Sequence, residues 1–171
     1  AAAAFNQVDP EKEYKTVFIL GCSHRSSFSG ASIYSIGNYI TPLGTVPTDL
    51  ATAHKLVSEN KVFAFDPQNQ RSEHSIEVQV PFLQYYLKNN FRIVPILLGT
   101  QDPKICEQIA HALKPYFVPE NLFVISTDFS HYPAYNDAVK IDKQIADAIV
   151  TNDPDKFLHA VDNCTLQNIG N

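Results

Sequence analysis

Residues 16–24 read TVFILGCSH, and this stretch decides the fold. Residues 16–21 form an apolar run closed by a glycine, which is typical of a strand covered on both faces. A loop rich in serine, CSHRSSFSG, follows at 22–30. The sequence therefore predicts a buried strand with Ser23 and His24 directly after its end.

The rest of the chain alternates apolar runs with helical patterns. Strands are predicted at 16–21, 62–66, 92–99 and 122–127, and helices at 48–59, 75–88, 103–114, 135–151 and, as a last short helix, from 153. This alternation predicts an α/β fold of three layers, a mostly parallel sheet flanked by helices on both faces.

Smaller features refine this prediction. Residues 1–9 resemble the end of a helix, and 31–47 indicate short strands. Pro81 lies inside the 75–88 pattern, so that helix is expected to be kinked or to start late. The stretch PQNQRS, 67–72, is predicted to be a polar loop.

Composition limits the class of protein. The 171 residues are 44% hydrophobic and 18% charged, which is typical of one globular domain over 1–171. The net charge is −5 and the basic residues are scattered, which argues against nucleic acid as the main partner. No apolar run is long enough for a membrane helix. Three distant cysteines without a CxxC pair favour a reducing cytoplasm.

The ends of the sequence predict a fragment. The chain opens with AAAAFNQVDP and contains no methionine, and its last residues, NCTLQNIGN, carry no helix-ending signal. We therefore expect this domain to lack both an N-terminal and a C-terminal part.

Polar groups with catalytic chemistry follow the strands. Ser23 and His24 follow the first strand, and Asp128 and His131 follow the strand at 122–127. Since ligands bind outside the carboxyl ends of parallel strands, these groups are expected at one edge of the sheet. Imidazoles with a nearby carboxylate are typical of metal binding or acid/base work.

Each of these residues also has a plain structural interpretation. A histidine after a strand is often a loop residue, and Asp128 could cap a turn. Glu73, beside His74 before the 75–88 pattern, is interpreted on its own as a helix N-terminal charge, and Cys22 as a small packing residue. The remaining histidines, His54, His111 and His159, receive no role.

Four motifs in this order resemble the Memo family: VFILGCSHRSSFSG, SEHSIEVQVPFLQ, IVPILLG and ISTDFSHY. The resemblance covers nearly the whole chain and is nearer to the bacterial branch than to the animal one. The family's bacterial and archaeal members include a protein of a system with a radical-SAM component. The family is similar in fold to the LigB-type catalytic subunit of extradiol dioxygenases. Those enzymes hold Fe(II) with two histidines and a glutamate and use a further histidine as acid/base.

The resemblance assigns expected roles residue by residue. His24 matches a metal-site histidine, and His131 matches the acid/base histidine, with Asp128 in the same motif. His74 matches a pocket residue, and Glu73 and Ser23, beside these positions, are expected to line the same pocket. The family's other metal ligands, a histidine and a cysteine, are expected upstream and downstream of this chain, so that the metal site here is expected to be incomplete.

These roles imply alternative functions. One is a metal-dependent oxidoreductase using non-haem iron or, because a cysteine replaces the glutamate ligand, copper. The alternative is a non-catalytic adaptor module that binds a peptide or small anion in a relic dioxygenase pocket, and a structural protein with a relic site ranks behind both. The expected partners are a small-molecule or peptide ligand and the radical-SAM component, with no nucleic acid and no membrane.

Overall fold

The computed structural model describes residues 2–71 and 73–168, the side chains of 165–168 excepted. The chain divides into two compact units, Ala1–Thr127 and Asp128–Asn171, and each is described by itself. The prediction of a single domain over 1–171 stays a prediction.

The first unit contains the strands of the described residues. They are β1 (Thr16–Cys22), β2 (Ala31–Ile33), β3 (Tyr39–Thr41), β4 (Gly44–Val46), β5 (Phe63–Ala64), β6 (Ile93–Leu98) and β7 (Asn121–Ser126). Five of them form one sheet in the order β5-β2-β6-β1-β7, and β3 and β4 form a separate antiparallel hairpin.

Helices lie in both units. The first unit has α1 (Ala2–Phe5), α2 (Leu50–Glu59), α3 (Pro67–Arg71), α4 (Val80–Tyr86) and α5 (Pro103–Leu113), with 3-10 turns at Glu77–Gln79 and Lys114–Tyr116. The described part of the second unit has α6 (Tyr135–Val150) and α7 (Pro154–Asn168).

The centre of the sheet is parallel. β1 lies between β6 and β7, and Val17 is opposite Ile93 on one side and Leu122 on the other. β2 runs antiparallel to β6 and parallel to β5. The sheet is therefore mixed but mostly parallel, and the predicted fold class is confirmed.

Alternate residues of β1 pack on opposite faces of the sheet, as the strand period of two requires. Val17 and Ile19 pack with Leu83 of α4 in one buried cluster. Phe18 packs with Leu56 of α2 and Ile109 of α5 in the other cluster. Because both faces are covered, β1 has the continuous apolar sequence that identified it as a buried strand.

Of three details that the sequence predicted, one is confirmed and two differ in the structure. The helix expected at 75–88 begins as a 3-10 turn, and α4 starts only at Val80 with Pro81 in its first turn, which confirms a late start. The prediction of a loop at 67–72 was wrong for Pro67–Arg71, because Asp66 accepts backbone hydrogen bonds at the start of α3. The last helix is also longer than expected, with 15 residues.

Within residues 2–71 and 73–168, every helix is too short or too polar to cross a bilayer.

Candidate functional site

The carboxyl ends of β1 and β7 lie side by side in the first unit. The two strands are parallel, and Gly21 of β1 is opposite Ser126 of β7. Cys22, the last residue of β1, is opposite Leu98 of β6. The loop that carries Ser23 and His24 therefore leaves the sheet at the edge where open α/β folds place their ligands.

Glu73 holds His24 in place across 49 residues of sequence. Its Oε2 accepts the backbone N–H of His24 at 2.6 Å, and its Oε1 lies 2.9 Å from the His24 Nδ1. The same Oε1 accepts the backbone N–H groups of His74 at 2.8 Å and Ser75 at 2.9 Å. One carboxylate thus fixes both the backbone and the ring of His24.

The Glu73 carboxylate is buried, with 2% of its side chain exposed. Burial raises its pKa, but the hydrogen bonds from the His24 backbone and ring and from the Ser75 and His74 backbones outweigh burial and lower the pKa to about 2. Glu73 is therefore a charged acceptor at neutral pH. Its interpretation as a helix N-terminal charge does not describe this geometry, because the 3-10 turn begins only at Glu77.

The contact with a charged acceptor assigns the tautomer of His24. In the neutral ring, Nδ1 carries the proton that it donates to Glu73, and Nε2 then presents the lone pair. The Cys22 Sγ lies 3.8 Å from this Nε2. The interpretation of Cys22 as a packing residue is therefore incomplete, since its thiol contacts the predicted metal-site histidine.

His74 lies beside His24. The two rings are stacked with centroids 5.2 Å apart and planes 20° apart. The His74 side chain is 57% exposed and that of His24 is 34% exposed, so both imidazoles face solvent in part. The His74 Nδ1 is 3.5 Å from the Glu73 Oε1, too far for a good hydrogen bond.

His24, Glu73 and His74 have the composition of a metal site. One potential ligand atom from each lies within 4.8 Å of the others. Glu73 Oε1 already accepts from three donors, however, which makes Glu73 an orienting group for His24. These residues fit a metal that is bound by the His24 Nε2 while Glu73 holds the opposite nitrogen, Nδ1. Metal-bound histidines usually have such a carboxylate partner.

Gly21 allows the Glu73 segment to approach β1. A Cβ added at Gly21 would lie 2.5 Å from the Ser75 Oγ and 3.0 Å from the Ile76 Cγ1. Gln79 ties the same segment to the next strand, because its side-chain amide donates to the Ser126 Oγ at 2.9 Å. Gly21, the glycine of the GCSH motif, is thus explained by the close approach of the Ser75 and Ile76 side chains to the backbone of β1.

Ser23 belongs to a polar chain that leads away from His24. The Ser23 Oγ is 3.2 Å from the Ser26 Oγ, which donates to the Asn69 Oδ1 at 2.7 Å. Asn69 in turn donates to the Asp66 Oδ2 at 3.0 Å. Sequence reasoning missed Asn69 and Asp66, although the Asp-Pro pair before a polar run is a helix-start signal.

Asp128 and His131 lie in the second unit, before α6. The His131 Nε2 is 3.5 Å from the Asp128 Oδ2, and the two side chains are 61% and 55% exposed. The backbone N–H of Ser130 between them donates to the Asp142 Oδ1 at 2.9 Å. The two residues thus form a solvent-facing pair within their own unit, and their acid/base role stays a prediction.

The fold and this site define an α/β protein with a carboxylate-supported histidine at the carboxyl edge of a mostly parallel sheet. A sequence model of the Memo-like proteins matches residues 1–170. The chain therefore belongs to the Memo family.

Curated relatives agree with this assignment. A MEMO1 family protein of Thermoplasma acidophilum is 37% identical over 139 residues, which are 81% of this chain and 52% of the relative. One from Saccharolobus solfataricus is 35% identical over 153 residues, 87% of this chain and 54% of the relative. The chain spans about half the length of the curated relatives it matches.

Proposed function

We propose that His24 is a metal ligand in a metal-dependent oxidoreductase related to the extradiol dioxygenases. One observation carries the proposal: the buried Glu73 carboxylate binds the His24 Nδ1, so that Nε2, on the side of the ring away from Glu73, is the proposed ligand atom. A carboxylate behind a histidine fixes the ring's tautomer and orientation and raises the basicity of the ligand nitrogen.

The residues of this chain bind and orient in this proposal. His24 holds the metal, Glu73 holds His24, and His74 covers one face of the His24 ring. Non-haem iron or copper, when bound, supplies the redox chemistry. His131 is the proposed acid/base, with Asp128 3.5 Å from its Nε2.

The substrate, the partner and the cellular location are part of the same proposal. We expect a small-molecule substrate, a radical-SAM pathway partner and a cytoplasmic location, as the resemblance and the composition imply. The net charge of −5 supports the expectation that nucleic acid is not a partner.

The test measures the metal content of the full-length protein, purified anaerobically, by elemental mass spectrometry. We expect near-stoichiometric iron or copper in the wild type and its loss in His24→Ala. His111→Ala is the matched control, since His111 is exposed on α5, 3.6 Å from Glu107, and should leave the metal in place.

The outcomes separate the two candidate functions. Wild-type protein that takes up no metal even after anaerobic reconstitution would overturn the oxidoreductase proposal. Affinity for a peptide or small anion that persists in such metal-free protein would identify the non-catalytic binding module instead.

A further inference from the structure

We propose that Cys22 is a second protein ligand beside His24, so that the two residues form a thiolate–imidazole pair selective for a soft transition metal. This inference rests on the proposed function, because it needs a metal at His24. The observation behind it is the 3.8 Å separation of the Cys22 Sγ and the His24 Nε2.

The separation has the length that a shared metal ion requires. Metal–sulfur and metal–nitrogen bonds of about 2.3 Å and about 2.0 Å span 3.8 Å at an N–metal–S angle of about 120°. Such an angle leaves room for further ligands, so that Cys22 would add to the remaining ligands of the site.

Both donor atoms are held by independent parts of the fold. Cys22 is the last residue of β1 and pairs with Leu98, and the next backbone N–H, that of Ser23, donates to the Leu98 carbonyl at 2.9 Å. The His24 ring is held by Glu73 from its far side. The pair is thus pre-organised by the sheet and by the buried carboxylate, which lowers the cost of ordering it around an ion.

The donor types determine the class of metal. A thiolate with an imidazole favours Cu(I) or Zn(II) over magnesium, calcium or manganese, and among the metals proposed here it selects copper. On binding, the Cys22 thiol loses its proton to solvent as the metal–sulfur bond forms, and no oxidation state changes.

The other thiols provide controls. Cys106 lies on α5 with its Sγ 4.0 Å from the Thr100 carbonyl, and Cys164 is buried with its Sγ 3.5 Å from the Gln144 Oε1. Cys106 is partly buried like Cys22, so Cys106→Ser removes a comparable thiol without changing the His24 site.

The first experiment titrates full-length metal-free protein with Cu(I) against a competing chelator under anaerobic conditions. We expect Cys22→Ser to weaken Cu(I) binding at least about tenfold, with unchanged affinity in Cys106→Ser. We also expect Cys22→Ser to reduce the thiolate-to-metal charge-transfer band when Co(II) is the probe, while circular dichroism checks that the variant is folded.

The second experiment uses the wild-type protein and so does not depend on the folding of a variant. Bound Cu(I) is expected to protect Cys22 from iodoacetamide, as read by peptide mass spectrometry, and to leave the alkylation of Cys106 unchanged. Protection of Cys22 would support the pair, and equal alkylation with and without Cu(I) would overturn it.

The failures of the two proposals are distinguishable. If Cu(I) binds, is lost in His24→Ala and is unaffected in Cys22→Ser, Cys22 is only a weak hydrogen-bond partner and this inference is wrong while the proposed function stands. If the wild type binds no metal, both proposals fail.

Discussion

The Glu73 carboxylate accepts hydrogen bonds from three backbone N–H groups and from one imidazole. Hydrogen bonds to a charged acceptor are about twice as strong as neutral ones, and a buried acceptor without its donors is costly. The position of His24 therefore depends on the charge of a residue 49 positions away in sequence.

We predict that Glu73→Gln weakens metal binding to the full-length protein by about 10–100-fold, the usual effect of losing a carboxylate behind a metal-bound histidine. The amide keeps the size of the side chain but replaces one oxygen by a donor, which faces backbone N–H groups. Calorimetric or competition titration with Cu(I) or Fe(II) measures the affinity, and thermal melting should show a destabilisation of about 1–3 kcal/mol.

A matched control exists on α5. Glu107 lies 3.6 Å from His111, but both side chains are about 70% exposed, so this pair is the surface counterpart of Glu73 and His24. Glu107→Gln should leave metal affinity and stability unchanged. If Glu73→Gln and Glu107→Gln changed metal affinity and stability equally, burial of the Glu73 carboxylate would have no effect on either property.

At the scale of elements, α2 is joined to the sheet through its N-cap. Asp49 Oδ1 accepts the Thr52 backbone N–H at 3.1 Å, which caps the helix. Asp49 Oδ2 accepts the hydroxyl of Thr16, the first residue of β1, at 2.8 Å. One side chain thus begins the helix and fixes it to the amino end of the central strand.

We predict that Asp49→Ala lowers the free energy of unfolding by about 2–3 kcal/mol, because it removes a cap of about 1 kcal/mol together with the hydrogen bonds that the Thr16 and Thr52 hydroxyls donate to Asp49 Oδ2. Urea denaturation followed by circular dichroism measures the change.

Asp102 provides the comparison, because it caps α5 through one bond to the Lys104 backbone N–H at 2.8 Å and is exposed. Asp102→Ala should cost only about 1 kcal/mol. If both variants lose the same stability, the hydrogen bonds from the Thr16 and Thr52 hydroxyls to Asp49 contribute nothing.

For the molecule as a whole, the two buried carboxylates make stability depend on pH. The pKa of Glu73 is about 2, although burial alone would raise it, because of its hydrogen bonds to His24, Ser75 and His74. The pKa of Asp49 is also lowered: burial raises it, but hydrogen bonds from Thr52 and Thr16 and the charge of Arg92 lower it more. In both cases the folded pKa lies below the unfolded one.

We predict that this stabilisation is fully present above about pH 4.5 and is lost as the pH falls toward about 2. The direction follows because the unfolded chain binds protons at these groups before the folded chain does. For Glu73 the loss amounts to at most about 3 kcal/mol.

Urea denaturation of the wild type and Glu73→Gln between pH 6 and pH 2.5 tests this dependence. The variant should lose less stability than the wild type over this interval, since its amide does not titrate. Parallel pH profiles of the two proteins would contradict the assignment of the depressed pKa to Glu73.

The sequence predicted much of the architecture because the relevant signals are local. The apolar runs at 16–21 and 92–99 correspond to β1 and β6, since burial on both faces of a sheet requires continuous apolar side chains. The mostly parallel pairing of the strands was predicted from the helices that lie between them in the sequence. The short helix α3 was missed because a single capping side chain, that of Asp66, stabilises it.

The sequence by itself determined the strand ends at which His24 and Asp128 follow β1 and β7, and it identified the family by its motifs. Only the tertiary structure decided that Glu73 is buried against His24 and that Cys22 contacts the other side of that ring. The physical reason is that a strand or helix follows from the period of neighbouring residues, whereas the distance between side chains far apart in sequence is fixed by how the folded segments pack.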